Sequence, residues 1–102
     1  LANEALAWIG AKERVTQSDF HVDPNYFQPG YERPSAAATE AIKTLAVKEG
    51  LLLDPVYSGK CFAGLLDYAR SGRVKRGSTV VFWHTGGATA LFAEKEILGK
   101  LF

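Results

Sequence analysis

Two short motifs contain most of the side chains that could carry out chemistry, and each motif follows a predicted strand. The first is Asp54–Lys60, which reads DPVYSGK, and the second is His84–Gly87, which reads HTGG. The first motif opens a predicted helix, whose N-terminus offers unpaired backbone N–H groups. The glycines of the second motif let a flat or anionic ligand come close to the backbone. These features predict half of a small-molecule site.

Several of these residues also have a purely structural interpretation. The Gly86-Gly87 pair fits a strand-to-helix turn as well as it fits a ligand contact. The position of His84 is typical of a hydrogen-bonded histidine at a strand end. Cys61 is expected to be a small buried residue, and Lys60 is expected to lie on the solvated surface of a helix. We therefore predict no nucleophilic thiol and no catalytic lysine among these residues.

Composition and motifs give little support to metals, nucleotides, nucleic acids or membranes as partners. Twelve basic and eleven acidic side chains leave a net charge of +1, and no segment concentrates Lys and Arg. His21 and His84 have no Cys or carboxylate at a ligand spacing, and no glycine-rich phosphate motif is present. The chain has no run of eighteen apolar residues. Its single cysteine, Cys61, favours a reducing, cytoplasmic location.

The elements that must position these motifs alternate between helix and strand. The hydrophobic periodicity and the capping residues predict the following order: a helix ending near Gly10, an aromatic-rich loop over 15–34, a helix from Ser35 to Gly50, a strand at Leu51–Leu53, a helix from Ser58 to Ser71, a strand at Thr79–Trp83, and a short helical segment through Leu91. This order predicts an α/β fold, part of a layered domain with a parallel sheet. Ligands of such sheets lie beyond the carboxyl ends of the strands, where both motifs are found.

The paired motifs resemble those of a known enzyme family. Together with Pro29-Gly30-Tyr31 and the helix around Glu40, they are similar to the pyridoxal-phosphate enzymes of fold type II that include D-cysteine desulfhydrase, 1-aminocyclopropane-1-carboxylate (ACC) deaminase and L-cysteate sulfo-lyase. The resemblance covers roughly residues 26–93. It implies that residues 1–102 form one C-terminal segment of a larger enzyme. The Schiff-base lysine and the phosphate loop of the family lie upstream of the matched part, and Lys60 does not correspond to that lysine.

The resemblance also assigns roles to individual residues. Tyr31 and Tyr57 would surround the substrate as catalytic residues, whereas Thr85 and Gly86 would bind the pyridine end of pyridoxal 5′-phosphate and Ser58 would line the same site. The deaminases carry glutamate at the position of Ser58 and leucine at that of Thr85. The hydroxyl pair of this sequence is the one seen in D-cysteine desulfhydrases. One neighbour, Glu32, departs from the family, which usually has glycine there.

The resemblance implies an α,β-elimination from an amino acid with a sulfur leaving group. The expected reaction converts D-cysteine to pyruvate, hydrogen sulfide and ammonia. L-Cysteate sulfo-lyase and ACC deaminase remain as alternatives within the family, and a non-catalytic α/β binding module is the alternative outside it. The expected partners are an amino-acid substrate, the remainder of the same enzyme, and further copies of it in a homo-oligomer.

Overall fold

The structure, a computed structural model, describes residues 1–95 and 99. The regular elements within these residues are all helices. Between residues 1 and 94 there are three α-helices: α1 (Ala2–Trp8), α2 (Ala36–Glu49) and α3 (Ser58–Arg70). Three short 3₁₀ helices cover Gln17–Asp19, Pro24–Tyr26 and Ala88–Ala93. None of the helices in this part of the chain is long and apolar enough to span a membrane.

The predicted helices are confirmed, and α2 shows why local signals located them. The Ser35 hydroxyl accepts a hydrogen bond from the Ala38 N–H at 3.1 Å, which satisfies one free donor of the first turn. Gly50 ends the helix in the left-handed region, at φ 69°, a conformation that glycine adopts without steric cost. Lys48 lies in the last turn, where a cation is favoured by the helix dipole.

The sheet of the predicted α/β fold does not form among the described residues. The segments 51–53 and 79–83 were both predicted to be strands, yet neither is helical and neither pairs with another strand. The physical reason is that a strand needs the backbone of a neighbour, and residues 1–95 supply none to either segment. Val81 and Trp83 remain 78% and 80% exposed, although the sequence of this segment is that of a strand buried on both faces.

A small apolar core joins α2 and α3 to the segments on either side of α3. Ile42, Leu53 and Leu91 are fully buried, and three partly buried side chains pack against them: Leu45, Phe62 and Phe82. The rings of Phe62 and Phe82 meet edge to face, with their centroids 5.3 Å apart. Because Leu53 directly precedes the first motif and Leu91 lies four residues after the second, this core holds both motifs against α2 and α3.

The first turn of α3 packs so closely against Ile42 and the Asp54 carbonyl group that only glycine fits at position 59. A Cβ atom there would lie 2.6 Å from the Asp54 carbonyl oxygen and 2.9 Å from Ile42 Cδ1. We expect Gly59→Ala to destabilise the full-length protein by about 1 to 3 kcal/mol, even though alanine favours a helix interior by about 1 kcal/mol over glycine. Gly64→Ala is the matched control, because its Cβ would meet only the edge of the Tyr26 ring, at 3.1 Å or more. Urea denaturation of both variants checks this, and an equal loss in the two would contradict it.

The aromatic-rich loop is attached to α3 by two hydrogen bonds between tyrosine and aspartate. The Tyr26 hydroxyl donates to the carboxylate of Asp67, and this bond raises the pKa of Tyr26 to about 12. The Tyr68 hydroxyl donates to Asp23 at 2.6 Å, and the Arg73 guanidinium lies 4.8 Å above the Tyr68 ring. The loop therefore has a defined position against the helix, although it contains little regular structure.

Candidate functional site

The buried carboxylate of Asp54 organises the first motif. Its Oδ1 atom accepts hydrogen bonds from the N–H groups of Val56 at 2.8 Å and Tyr57 at 2.6 Å. Its Oδ2 atom accepts the Ser58 N–H at 2.8 Å, and the side chain is only 1% exposed. A single carboxylate thus satisfies the free N–H groups that lead into α3, and it places a negative charge at the positive end of the helix dipole. Asp54 was not among the residues predicted for the site.

Two opposing effects act on the pKa of Asp54. Burial by itself raises the pKa, because it penalises the charged form. The hydrogen bonds from the Ser58 side chain and from the N–H groups of Tyr57, Ser58 and Val56 outweigh burial, so the pKa lies below its ordinary value. Asp54 is therefore ionised at neutral pH and keeps its full set of acceptor positions.

Ser58 is bound to Asp54 through both its donor and its acceptor. The Ser58 hydroxyl donates to Asp54 Oδ2 and accepts the Asp54 backbone N–H at 2.9 Å. A serine hydroxyl carries only one proton, so this proton is already used within the turn. Ser58 was predicted to line the same site as Thr85, and of these two side chains only Thr85 retains a hydroxyl proton that it could donate to a ligand.

The second motif is anchored by His84. Its Nε2 atom lies 2.8 Å from the Leu52 carbonyl oxygen, and its Nδ1 atom accepts the Gly86 N–H at 3.1 Å. Since Nδ1 is the acceptor, Nε2 carries the proton and donates to Leu52. The prediction of a hydrogen-bonded histidine is therefore confirmed, and the ring ties the two motifs together.

The two motifs meet at the Asp54 carboxylate. Gly86 and Gly87 both adopt left-handed backbone conformations, at φ 98° and 84°, which favour glycine. A Cβ atom on Gly87 would lie 3.2 Å from the Asp54 carboxyl group, whereas one on Gly86 would meet nothing within 4 Å. The turn therefore packs on Asp54 at Gly87 and leaves open space beside Gly86.

Thr85 lies in this turn between two fixed neighbours. Its side chain is exposed, and its hydroxyl forms no hydrogen bond within the described part of the chain. The neighbouring His84 is held by Leu52 and the neighbouring Gly86 by His84. Thr85 consequently presents an available hydroxyl from a backbone that is already in place, as a ligand-binding residue requires.

Tyr57, the residue immediately before Ser58, forms a pair with Tyr31 of the aromatic-rich loop. Their hydroxyl oxygens are 3.2 Å apart, and their ring centroids are 6.0 Å apart. The hydrogen bond with Tyr57, followed by the repulsion between two neighbouring phenolates, raises the pKa of Tyr31 above its ordinary value. Both rings are exposed, so two phenol hydroxyls lie side by side at the N-terminal end of α3, next to Ser58.

Two structural predictions for the first turn of α3 are wrong. Lys60 was predicted to be solvated, but it is 5% exposed, and its Nζ atom donates to the carbonyl oxygens of Phe27 at 3.0 Å and Gly30 at 2.6 Å. Cys61 was predicted to be buried, but it is exposed. The reason is that the aromatic-rich loop crosses the side of α3 that carries Lys60.

An apolar groove of about 570 Å³ runs between α3 and residues 80–82. Of the five candidate site residues it contains only Tyr57, and its walls include Val56, Leu65 and Val81. The groove therefore differs from the candidate site, which is defined by hydrogen bonds around Asp54. Within residues 1–95, no group of three His, Cys, Asp or Glu side chains is placed to hold a metal ion.

Comparisons with known proteins identify the family that this chain resembles. Residues 6–86 match the family model described as pyridoxal-phosphate dependent enzyme. Over 87 residues, the chain is 51% identical to the D-cysteine desulfhydrases of Salmonella newport (strain SL254) and Salmonella heidelberg (strain SL476). This match covers 85% of the chain and 26% of each relative, so the chain spans about a quarter of the length of these relatives.

A solved structure gives the same result at the level of the fold. The crystal structure of an ACC deaminase homologue superimposes with a TM-score of 0.70 at 33% sequence identity. The superposition covers 98% of this chain and 29% of the other chain. On the strength of the family match over 6–86, the chain belongs to the pyridoxal-phosphate-dependent enzyme family.

Proposed function

We propose that this chain forms the wall of a cofactor site in a lyase that eliminates sulfide from D-cysteine. The observation that carries the proposal is the available Thr85 hydroxyl, in a turn that Asp54 and His84 hold in place. The 51% identity to D-cysteine desulfhydrases supports the choice of substrate. We further propose that the active protein is a cytoplasmic homo-oligomer.

The residues present fit pyridoxal 5′-phosphate at its pyridine end. The open space beside Gly86 gives a flat ring access to the backbone, and the exposed Thr85 hydroxyl can donate a hydrogen bond to an unprotonated ring nitrogen. The cofactor, when bound, supplies an electron sink for the bonds broken at the substrate α-carbon. Because the Lys60 amine is buried and bonded to two carbonyl groups, we propose that the Schiff-base lysine lies in a part of the full-length protein outside residues 1–102.

The tyrosine pair supplies the proton chemistry in this proposal. A neutral phenol next to the substrate can donate its proton to a departing sulfur atom as a general acid. Tyrosine is protonated at neutral pH at its ordinary pKa of about 10, and the hydrogen bond with Tyr57 raises the pKa of Tyr31 further. Ser58 contributes indirectly, because its bonds to Asp54 fix the start of α3 directly after Tyr57.

The alternatives within the family differ in what they need at positions 58 and 85. L-Cysteate sulfo-lyase shares the hydroxyl-lined site, so it is the second candidate. ACC deaminase is the third, because Ser58 and Thr85 replace the glutamate and leucine expected there. A carboxylate would stabilise a protonated ring nitrogen, whereas a hydroxyl supports the neutral form, and opening a cyclopropane demands the stronger electron sink.

Tyr31→Phe tests the role of the tyrosine pair, because it removes one hydroxyl and keeps the ring. We expect kcat/KM for D-cysteine to fall about 10-fold, which corresponds to about 1.4 kcal/mol of transition-state stabilisation. The matched control is Tyr26→Phe, whose hydroxyl binds Asp67 on α3 and is expected to leave the kinetics nearly unchanged. Equal rates for wild type and Tyr31→Phe would identify Tyr31 as a packing residue only.

The proposed reaction is tested by identifying the products of the purified full-length protein with its cofactor. With D-cysteine we expect sulfide and pyruvate in equal amounts, and with L-cysteate little sulfite. Sulfite as the main product would select the sulfo-lyase. A protein that binds the cofactor but transforms none of D-cysteine, L-cysteate and ACC would indicate the binding module.

A further inference from the structure

Lys60 is a buried cation at a position that disfavours positive charge. It is the third residue of α3, which begins at Ser58, and the first turn of a helix carries the positive end of the dipole. Its side chain is also removed from water, which costs free energy unless the ammonium is bonded. No carboxylate of the described residues lies within ion-pair distance of Lys60, so another interaction must compensate.

That compensation comes from one turn of the aromatic-rich loop. The Lys60 ammonium donates to the carbonyl oxygen of Phe27 at 3.0 Å and to that of Gly30 at 2.6 Å. The same turn is closed by a bond from the Gly30 N–H to the Phe27 carbonyl oxygen at 3.1 Å. Lys60 thus holds both ends of a turn that lies 30 or more residues away in sequence.

This turn carries Tyr31. Gly30 precedes Tyr31 directly and has φ 137°, and Glu32 follows it with φ 54°, so no regular secondary structure fixes the position of the tyrosine. Its partner Tyr57 stands at the start of α3, three residues before Lys60. The Lys60 bond to Gly30 therefore connects the two backbones that bring the tyrosine hydroxyls to 3.2 Å.

We propose that Lys60 is a positioning residue for the reaction, because it sets the placement of Tyr31 relative to Tyr57. The proposal rests on the function proposed above for the tyrosine pair. Lys60 acts through the loop backbone and does not itself contact the substrate. Methionine at this position has a similar length and no donor, so it removes the two bonds while filling most of the same space.

A double-mutant cycle in the full-length enzyme separates positioning from a general structural role. We expect Lys60→Met to lower kcat/KM for D-cysteine about 10-fold, as Tyr31→Phe does. In the Tyr31→Phe background, the same change should cost less than about 2-fold, because the hydroxyl that it misplaces is already absent. Lys43→Met, at an exposed lysine of α2, is the control and should have no effect. Additive losses in the double variant would overturn the proposal.

Hydrogen exchange provides a readout that does not depend on activity. In Lys60→Met we expect the peptide covering 26–33 to exchange at least about 10-fold faster, with the peptide of α2 unchanged. Lys60→Gln, which keeps a shorter donor, provides a second variant if Lys60→Met does not fold, and its exchange should be intermediate. Unchanged exchange over 26–33 in a folded variant would overturn the proposal whatever the enzyme does. If the wild-type enzyme is inactive on D-cysteine but Lys60→Met still exchanges faster over 26–33, the proposed function is wrong and the contact between Lys60 and the loop is supported.

Discussion

Replacing Thr85 with valine is expected to lower kcat/KM for sulfide release by about 10- to 100-fold in the full-length protein. Valine has nearly the size of threonine and lacks the hydroxyl, so the change removes a donor with little effect on packing. The range corresponds to a hydrogen bond worth about 1.4 to 2.7 kcal/mol in the transition state. The large effect follows from the Ser58 proton being bound to Asp54, which leaves no second hydroxyl of the pair to replace Thr85.

A matched control for this prediction lies four residues further along the same segment. Thr89 is also exposed and belongs to the 3₁₀ helix Ala88–Ala93, so Thr89→Val changes the same atoms outside the site. Steady-state kinetics of the two variants should therefore differ by 10-fold or more. Similar rates in both would remove Thr85 from the cofactor site.

The second large effect is on stability and concerns Asp54. We expect Asp54→Asn to destabilise the protein by about 2 to 4 kcal/mol, because hydrogen bonds to a charged acceptor are worth about 1.5 to 3 kcal/mol each and are not additive. The NH₂ group of asparagine would also face a backbone N–H group, and two donors cannot form a hydrogen bond with each other. Asp67→Asn is the control, since this exposed carboxylate accepts one tyrosine hydroxyl. Urea denaturation should show that Asp67→Asn lowers the free energy of unfolding by less than about 1 kcal/mol.

The pH dependence of this difference has a definite sign. Because the folded-state pKa of Asp54 is lowered by its hydrogen bonds, against the opposing effect of burial, the folded protein binds this proton less tightly than the unfolded chain. The stabilisation is therefore fully present above about pH 4, near the unfolded pKa of aspartate, and is lost as the pH falls through the folded value. The gap between wild type and Asp54→Asn should shrink below pH 4, and a gap that widens there would contradict the assigned charge.

Features that depend on neighbouring residues could be predicted from the sequence, whereas those that depend on distant partners could not. Ser35 and Gly50 mark the ends of α2 through their own capping geometry. The segment 79–83 has the composition of a strand, but strand pairing is a property of two segments, and residues 1–95 contain no partner for it. The burial of Lys60 could not be predicted locally either, because the carbonyl groups that it binds lie 30 and 33 positions upstream.

The sequence led us to expect that the two motifs lie together, but it did not point to Asp54, the residue that organises them. The two motifs do meet at Asp54, although the strands from which this was expected do not pair among the described residues. Asp54 escaped notice because an aspartate before a proline is typical of a loop boundary. An available signal was the spacing of Asp54 and Ser58 at the start of a predicted helix, where an aspartate side chain often accepts backbone N–H groups.

The ratio of kcat/KM for D-cysteine to that for ACC, measured on the full-length enzyme, tests the central claim most directly. That claim is that a hydroxyl at Thr85, with no carboxylate at Ser58, favours elimination of sulfur over opening of the cyclopropane. We predict a ratio of at least about 100, or about 2.7 kcal/mol of discrimination between the transition states. A ratio below one, with ammonia released from ACC faster than sulfide from D-cysteine, would contradict it.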